Sequence, residues 1–219
     1  MNNIKYFTIY GERCSGTNFL EELITNNFNI TITWKYGWKH FFGFYNFKKT
    51  QEENETLFIG IVRNPIDWLY SFHTNPHHIP PHNRPLMNFL NNEFYSISNI
   101  NGKTIIEDFH YETKKKYKDI FELRKVKNNF LVNVMPTKVN NYMLINYEDL
   151  LVYTDFFINK ISIVYNLPLK NDTIIKIEYY KKNKNKKYEP KKTYFSNEMF
   201  ALIKDKLDIN QEKGLNYII

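Results

Sequence analysis

Residues 11–18 read Gly-Glu-Arg-Cys-Ser-Gly-Thr-Asn, and they constrain this chain more than any other stretch. The apolar segment Tyr6-Phe7-Thr8-Ile9-Tyr10 leads into them, and Phe19, Leu20, Leu23, Ile24 and Phe28 follow at helical spacing. Strand, glycine-bounded loop and helix in that order, with Gly-x-x-x-x-Gly spacing, is the layout of a phosphate-binding P-loop, in which backbone N–H groups and a helix N-terminus cradle an anion. Thr17 stands where a nucleotide-hydrolysing P-loop carries lysine. The loop is expected to hold a phosphate without the usual ATP chemistry.

The rest of the chain alternates strand and helix signals, which favours an α/β class. Strands are expected at about Lys5–Tyr10, Ile30–Lys35, Leu57–Val62 and Tyr142–Tyr147, and helices at about Thr17–Asn27, Asp149–Tyr165 and Asn197–Leu207. The continuous apolar run Leu57-Phe58-Ile59-Gly60-Ile61-Val62 suits a central parallel strand buried on both faces. The expected architecture is a P-loop-type, three-layer α/β fold with a central, mainly parallel sheet flanked by helices, in one domain over residues 1–219. Two segments interrupt the alternation. Thr74–Pro85 holds four prolines and reads as an ordered loop or a lid, within a loop insertion over 73–100. Lys181–Lys192 holds seven lysines and reads as a basic segment, either a solvated face or an anion contact.

Hydrophobic residues make up 42% and aromatic residues 17%, enough for a folded core. No run of about 18 apolar residues suggests a membrane span. Met1-Asn2-Asn3-Ile4-Lys5 lacks the basic-then-apolar order of a signal peptide, and a single cysteine suits a reducing compartment. The expectation is a soluble, cytoplasmic protein without a membrane partner. The net charge of +7 points to an anionic partner, although the abundance of Lys, Asn and Ile also matches an AT-rich coding sequence, which weakens that argument.

A second anion-binding signal follows the buried run. In Arg63-Asn64-Pro65-Ile66-Asp67-Trp68-Leu69-Tyr70-Ser71, Asn64 suits an N-cap, Pro65 the first helical position and Asp67 the third. Arg63 is thereby placed at the carboxyl end of a central strand, where open α/β sheets bind ligands, and Ser71 lies two turns along the new helix. A metal-dependent NTPase would carry an aspartate at this strand end; here it is Arg63.

Taken together, Gly11–Asn18, the run Val-Arg-Asn-Pro-Ile-Asp-Trp-Leu-Tyr-Ser-Phe-His at 62–73 and Asn-Tyr-Glu-Asp-Leu at 146–150 resemble the sulfotransferase family, including members from bacteria and large DNA viruses. The resemblance spans roughly residues 5–165. It implies 3′-phosphoadenosine 5′-phosphosulfate (PAPS) as donor and adenosine 3′,5′-bisphosphate as product, with no metal. It also implies that Arg13, Cys14, Ser15, Gly16, Thr17 and Asn18 bind the 5′-phosphosulfate, and that Arg63 and Ser71 bind the 3′-phosphate. There are departures. Cys14 stands where many members carry Lys or Arg, leaving Arg13 or Lys39 to supply that charge, and Asn18 stands where many carry Thr. The family's glycine-rich basic segment has no clear match beyond Lys181–Lys192, which lacks glycine.

Sulfuryl transfer needs a base for the acceptor's proton and cations for the leaving phosphate. His40, after the second strand, is the candidate base, and Lys39 the candidate contact to the bridging oxygen; equally, His40 fits a packed neighbour of Trp38, Phe41 and Phe42. His73 or His77 is an alternative base. Zinc is not expected at His73, His77, His78 and His82, because their loop has no acidic or cysteine ligand. Cys14 reads as a small side chain tolerated in the loop rather than a reactive thiol. Arg124 either faces an anionic acceptor or lies on a solvated helix face. The acceptor is expected to be a hydroxyl or amine of a carbohydrate or small molecule. The alternatives are a P-loop phosphotransferase, which would prefer ATP with magnesium, and an RNA-binding module using the lysine run, with nucleic acid the weaker expectation.

Overall fold

A computed structural model describes residues 3–40, 51–100, 102–180, 187–189 and 195–219. In chain order the elements are β1 (Tyr6–Gly11), α1 (Thr17–Asn27), β2 (Thr31–Ile32), α2 (Gln51–Asn54), β3 (Thr56–Val62), α3 (Pro65–His73), α4 (Leu86–Asn91), β4 (Ser96–Ile100), β5 (Lys103–Glu107), α5 (Ile120–Asn129), α6 (Met135–Lys138), β6 (Tyr142–Asn146), α7 (Tyr147–Val152), α8 (Thr154–Tyr165), α9 (Asn197–Lys206) and α10 (Ile209–Gly214). A central parallel sheet in the order β2-β1-β3-β6 is flanked by helices, and β4 and β5 form a separate antiparallel hairpin.

Every residue of β3 is buried, because the strand is covered on both faces. Side chains alternate along the strands. Ile9, Leu57, Ile59, Ile61, Met143 and Ile145 pack with α1, α7 and α8 through Leu20, Leu23, Leu150 and Ile158. Tyr10, Phe58 and Val62 pack on the opposite face with Phe130, Leu131 and Met135, where α5 runs through a wide turn, Phe130–Val134, into α6. Pro136 in α6 has no N–H to continue the helical ladder. A third cluster joins α3, α4, α5 and α9 around Trp68, Phe72, Phe89, Leu123 and Ile203.

The sheet order fixes where a ligand can sit. Gly11 pairs with Ile61 and Val62 with Asn146, so the carboxyl ends of β1, β3 and β6 lie side by side. The chain leaves β1 toward β2 on one side, while β3 lies on the other, and a crevice opens outside the carboxyl ends of the two strands at such a reversal.

Several expected elements change shape. The strand expected over Ile30–Lys35 shortens to Thr31–Ile32, because the chain turns at Gly37 (φ 113°) and comes back to β1, where Gly11 N–H donates to the Lys39 carbonyl at 3.0 Å. The helix expected over Asp149–Tyr165 is two helices, broken where Tyr153 leaves helical geometry at φ −112°, ψ 40°. Tyr147 begins α7 rather than ending the strand. The proline-rich segment forms two short turns, Pro76–His78 and Pro81–Asn83, and residues 73–100 also contain α4 and β4. Of the lysine run, Lys187 alone lies within the described residues, and Phe41 and Phe42 lie outside them. Among the described residues no helix is long and apolar enough to cross a membrane.

Candidate functional site

The loop between β1 and α1 is held from below by its own groups. The Ser15 hydroxyl and N–H both donate to the Glu12 carbonyl, at 2.6 and 3.1 Å, and the Glu12 carboxylate accepts from Arg13 N–H at 2.8 Å. Two side chains from neighbouring elements bind the outward carbonyls: Trp68 Nε1 donates to Arg13 O and Arg63 Nη1 to Cys14 O, both at 2.9 Å. Gly16, at φ 95°, precedes α1 and has no side chain to cap it. A Cβ there would lie 2.2 Å from the Tyr147 ring, so this position requires glycine for space as well as for its backbone angle. No side chain caps the N-terminal N–H groups of α1, and a helix start of this kind favours an anion.

A cavity of about 710 Å³ opens at this loop. Its wall includes Arg13, Cys14, Gly16, Thr17, Asn18, Lys39, His40, Arg63 and Ser71, so nine of the ten residues assigned from the sequence to donor binding, the base and the bridging contact meet at one site. Ser15 is the exception, since its side chain is engaged inside the loop. The β4–β5 hairpin contributes Ser98, Ile100 and Glu107, and Tyr147, Tyr180, Lys187 and Tyr188 complete the aromatic and basic side.

The three cations expected to serve the anion differ sharply. Lys39 Nζ donates to Asn18 Oδ1 at 2.6 Å, pairs with Glu21 at 3.1 Å and lies 5.8 and 5.4 Å from the centroids of the adjacent Trp34 and Trp38 rings. Arg13 pairs with Glu107 at 3.1 Å and donates to Ser96 Oγ. Arg63 has no carboxylate within 4.0 Å among the described residues, its Nε is buried without a hydrogen-bond partner, and it is only 9% exposed. Its guanidinium lies 5.1 Å over the Tyr147 ring.

His40 Nδ1 lies 2.8 Å from the Gly11 carbonyl. A carbonyl only accepts, so Nδ1 carries the hydrogen and Nε2 keeps its lone pair. Burial, with Arg13, Lys127 and Lys39 nearby, holds the imidazole well below its ordinary range, against the pull of the Gly11 carbonyl. Burial pushes the Cys14 thiol up, and its S–H faces Ser71 O at 3.7 Å, which is the environment of an inert thiol. His73 is bonded to Arg84 O and His78 to Ile97 O; His78 lines the cavity, and the side chain of His77 lies outside the described residues. Among the described residues no cluster of three His, Cys, Asp or Glu is present.

Sequence reasoning missed the charged groups beneath the loop. Lys127 Nζ reaches Glu12 Oε2 at 2.8 Å, Asp108 Oδ1 at 2.5 Å and the His40 carbonyl at 2.8 Å, with its side chain 2% exposed. Burial pushes the Asp108 carboxyl up to about 6, against the pull of Lys127 and with Glu12 adding to the rise. A carboxyl raised in the folded state makes that state bind more protons than the unfolded chain between pH 3.8 and about 6. The stability of the wild type relative to Asp108→Asn should therefore fall as pH rises through that window; urea titrations at several pH values check the sign, and a rise would refute it.

Arg124 is neither solvated nor at the cavity, contrary to both expectations: it is buried, paired with Glu212 through Nε and Nη2 at 2.6 and 2.7 Å. The partner lies on α10, far along the chain, so no local pattern announced it.

No protein-family model, curated protein or solved structure matches the chain.

Proposed function

We propose that the chain is a sulfotransferase that moves a sulfuryl group from PAPS to a hydroxyl or amine, with residues 11–18 acting as a P-loop. The observation that carries this reading is Arg63: a buried guanidinium without a described carboxylate partner, opening into the same cavity as the uncapped start of α1. A buried cation of this kind is costly unless an anion joins it. The spacing of Arg63 and Ser71, eight residues apart, is the one the family resemblance associates with a 3′-phosphate. The residues present thus fit the donor's two anionic ends, and the donor supplies the sulfuryl group that is transferred.

The chain's own residues then divide the work. The α1 N-terminus and the amides of Gly16 to Asn18 bind the 5′ end, with Asn18 oriented by Lys39. Arg63 grips the 3′ end by charge-assisted hydrogen bonds, with the Ser71 hydroxyl beside it. His40 Nε2 takes the acceptor's proton. The wall formed by Trp38, Ser98 and Ile100 excludes water and orients the acceptor, which belongs to the carbohydrate or small-molecule class.

Calorimetric titration with adenosine 3′,5′-bisphosphate tests the reading. Micromolar binding is expected, weakened about 10- to 100-fold by Arg63→Ala, the range for losing charged hydrogen bonds. A folded wild type that ignores the bisphosphate, or prefers ATP with magnesium, would sink it.

A further inference from the structure

The peptide unit joining Arg63 to Asn64 is held at both polar ends. Its carbonyl, Arg63 O, accepts from Arg124 Nη2 at 2.9 Å. Its N–H, on Asn64, donates to Glu148 Oε1 at 2.9 Å. Each of these charged side chains is braced in turn from residues 212–217. Glu212, 1% exposed on α10, holds Arg124 through two hydrogen bonds. The Tyr217 hydroxyl donates to Glu148 Oε2 at 3.0 Å. The two braces are tied together, since Tyr217 N–H donates to Glu212 O at 2.9 Å. Burial, reinforced by Glu148, pushes the Tyr217 phenol up, so it stays a donor at any working pH.

We infer that Tyr217 and Glu212 are positioning residues that aim Arg63 at its anion by locking the peptide unit that follows it. The geometry explains why such a lock matters. Rotating that peptide would swing the Arg63 Cα–Cβ bond and lift the guanidinium from the Tyr147 ring and from Cys14 O, and errors of about 1 Å in a binding group are costly. Arg124 also lies 5.1 Å over the ring of Trp68, whose indole N–H holds Arg13 O, so the same ion pair supports the loop that faces Arg63. A brace for α10 alone would need only the Arg124–Glu212 pair. The second line through Glu148 ends on the same peptide unit from the opposite side.

This inference rests on Arg63 binding the donor's 3′-phosphate. The test compares two ligands, adenosine 3′,5′-bisphosphate and adenosine 5′-monophosphate, which lacks the 3′-phosphate. Tyr217→Phe removes one hydroxyl and keeps the ring, so the fold is retained, as a melting curve would verify. Its affinity for the bisphosphate should fall about tenfold, the scale of one hydrogen bond to a charged group, while that for the monophosphate holds. Arg124→Lys, which keeps the charge and loses the two-pronged geometry, should show the same selective loss. Equal losses for both ligands would mean general loosening and would overturn the inference, as would undiminished bisphosphate binding by Tyr217→Phe. A folded wild type that does not bind the bisphosphate would instead overturn the reading of Arg63, and the inference with it.

Discussion

Replacing Lys127 by methionine should destabilise the folded protein by about 3–5 kcal/mol, the cost of removing one partner from a buried ion pair. For a chain of this size that lowers the melting temperature by roughly 10 °C. The ammonium donates to the His40 carbonyl and forms ion pairs with both Glu12 and Asp108, away from solvent. Methionine fills much of the volume but leaves two carboxylates facing each other in a site where Asp108 is 1% exposed. Glu12 still accepts from Arg13 N–H, which does not neutralise it. The loss should be partly restored by the triple change Lys127→Met, Glu12→Gln and Asp108→Asn, because it removes the unpaired buried charges while each new amide N–H still needs a partner. The amide oxygen that Glu12→Gln introduces can still accept from Arg13 N–H. Urea unfolding of the three proteins decides the matter: a loss below about 1 kcal/mol for Lys127→Met would show that water reaches the cluster after all.

How much of this was legible follows from the range of each interaction. Local rules placed α1 at Thr17–Asn27 and the start of α3 after Asn64, whose side chain accepts from Ile66 and Asp67 N–H. A buried apolar run placed β3, and Arg63 followed at its carboxyl end. These are decided by neighbours in sequence. The Lys127 cluster was not visible, since Lys127 sits in a helix whose charged residues read as a solvent face until Glu12, His40 and Asp108 arrive from other elements. Arg124 escapes local rules for the same reason, since its partner Glu212 lies on α10. The β4–β5 hairpin did have a local signal: Asn101-Gly102 lies between Ser96–Ile100 and Lys103–Glu107, and an Asn-Gly pair between strand-like runs marks a hairpin. That signal matters for the site, because the hairpin supplies Glu107 to Arg13 and Ser98 and Ile100 to the cavity wall.

Under the proposed sulfotransferase reading, His40→Ala should cut kcat about 10²–10⁴-fold, the usual worth of a positioned general base, while leaving bisphosphate affinity in place. The two readings of His40, base or packed neighbour, predict different numbers: a variant retaining more than about a tenth of wild-type turnover would remove it as base. Its geometry favours a proton-accepting role. The Gly11 carbonyl fixes the hydrogen on Nδ1, the ring lines the cavity, and Trp38 stands edge-on with centroids 6.4 Å apart. Because burial and the surrounding cations hold the imidazole well below 6.5, it is neutral at pH 7, and the acid limb of the rate profile should fall below that value. The same shift has a stability signature that needs no acceptor. With the folded-state value depressed, the unfolded chain binds the extra proton first, so this group's contribution to stability is complete above pH 6.5 and declines as pH falls below it. Unfolding of wild type and His40→Ala across pH 5–7 measures that decline: the stability difference between them should shift against the wild type as the pH drops. A difference independent of pH would mean the ring titrates as it does in water, and then neither its burial nor its readiness as a base at neutral pH could stand.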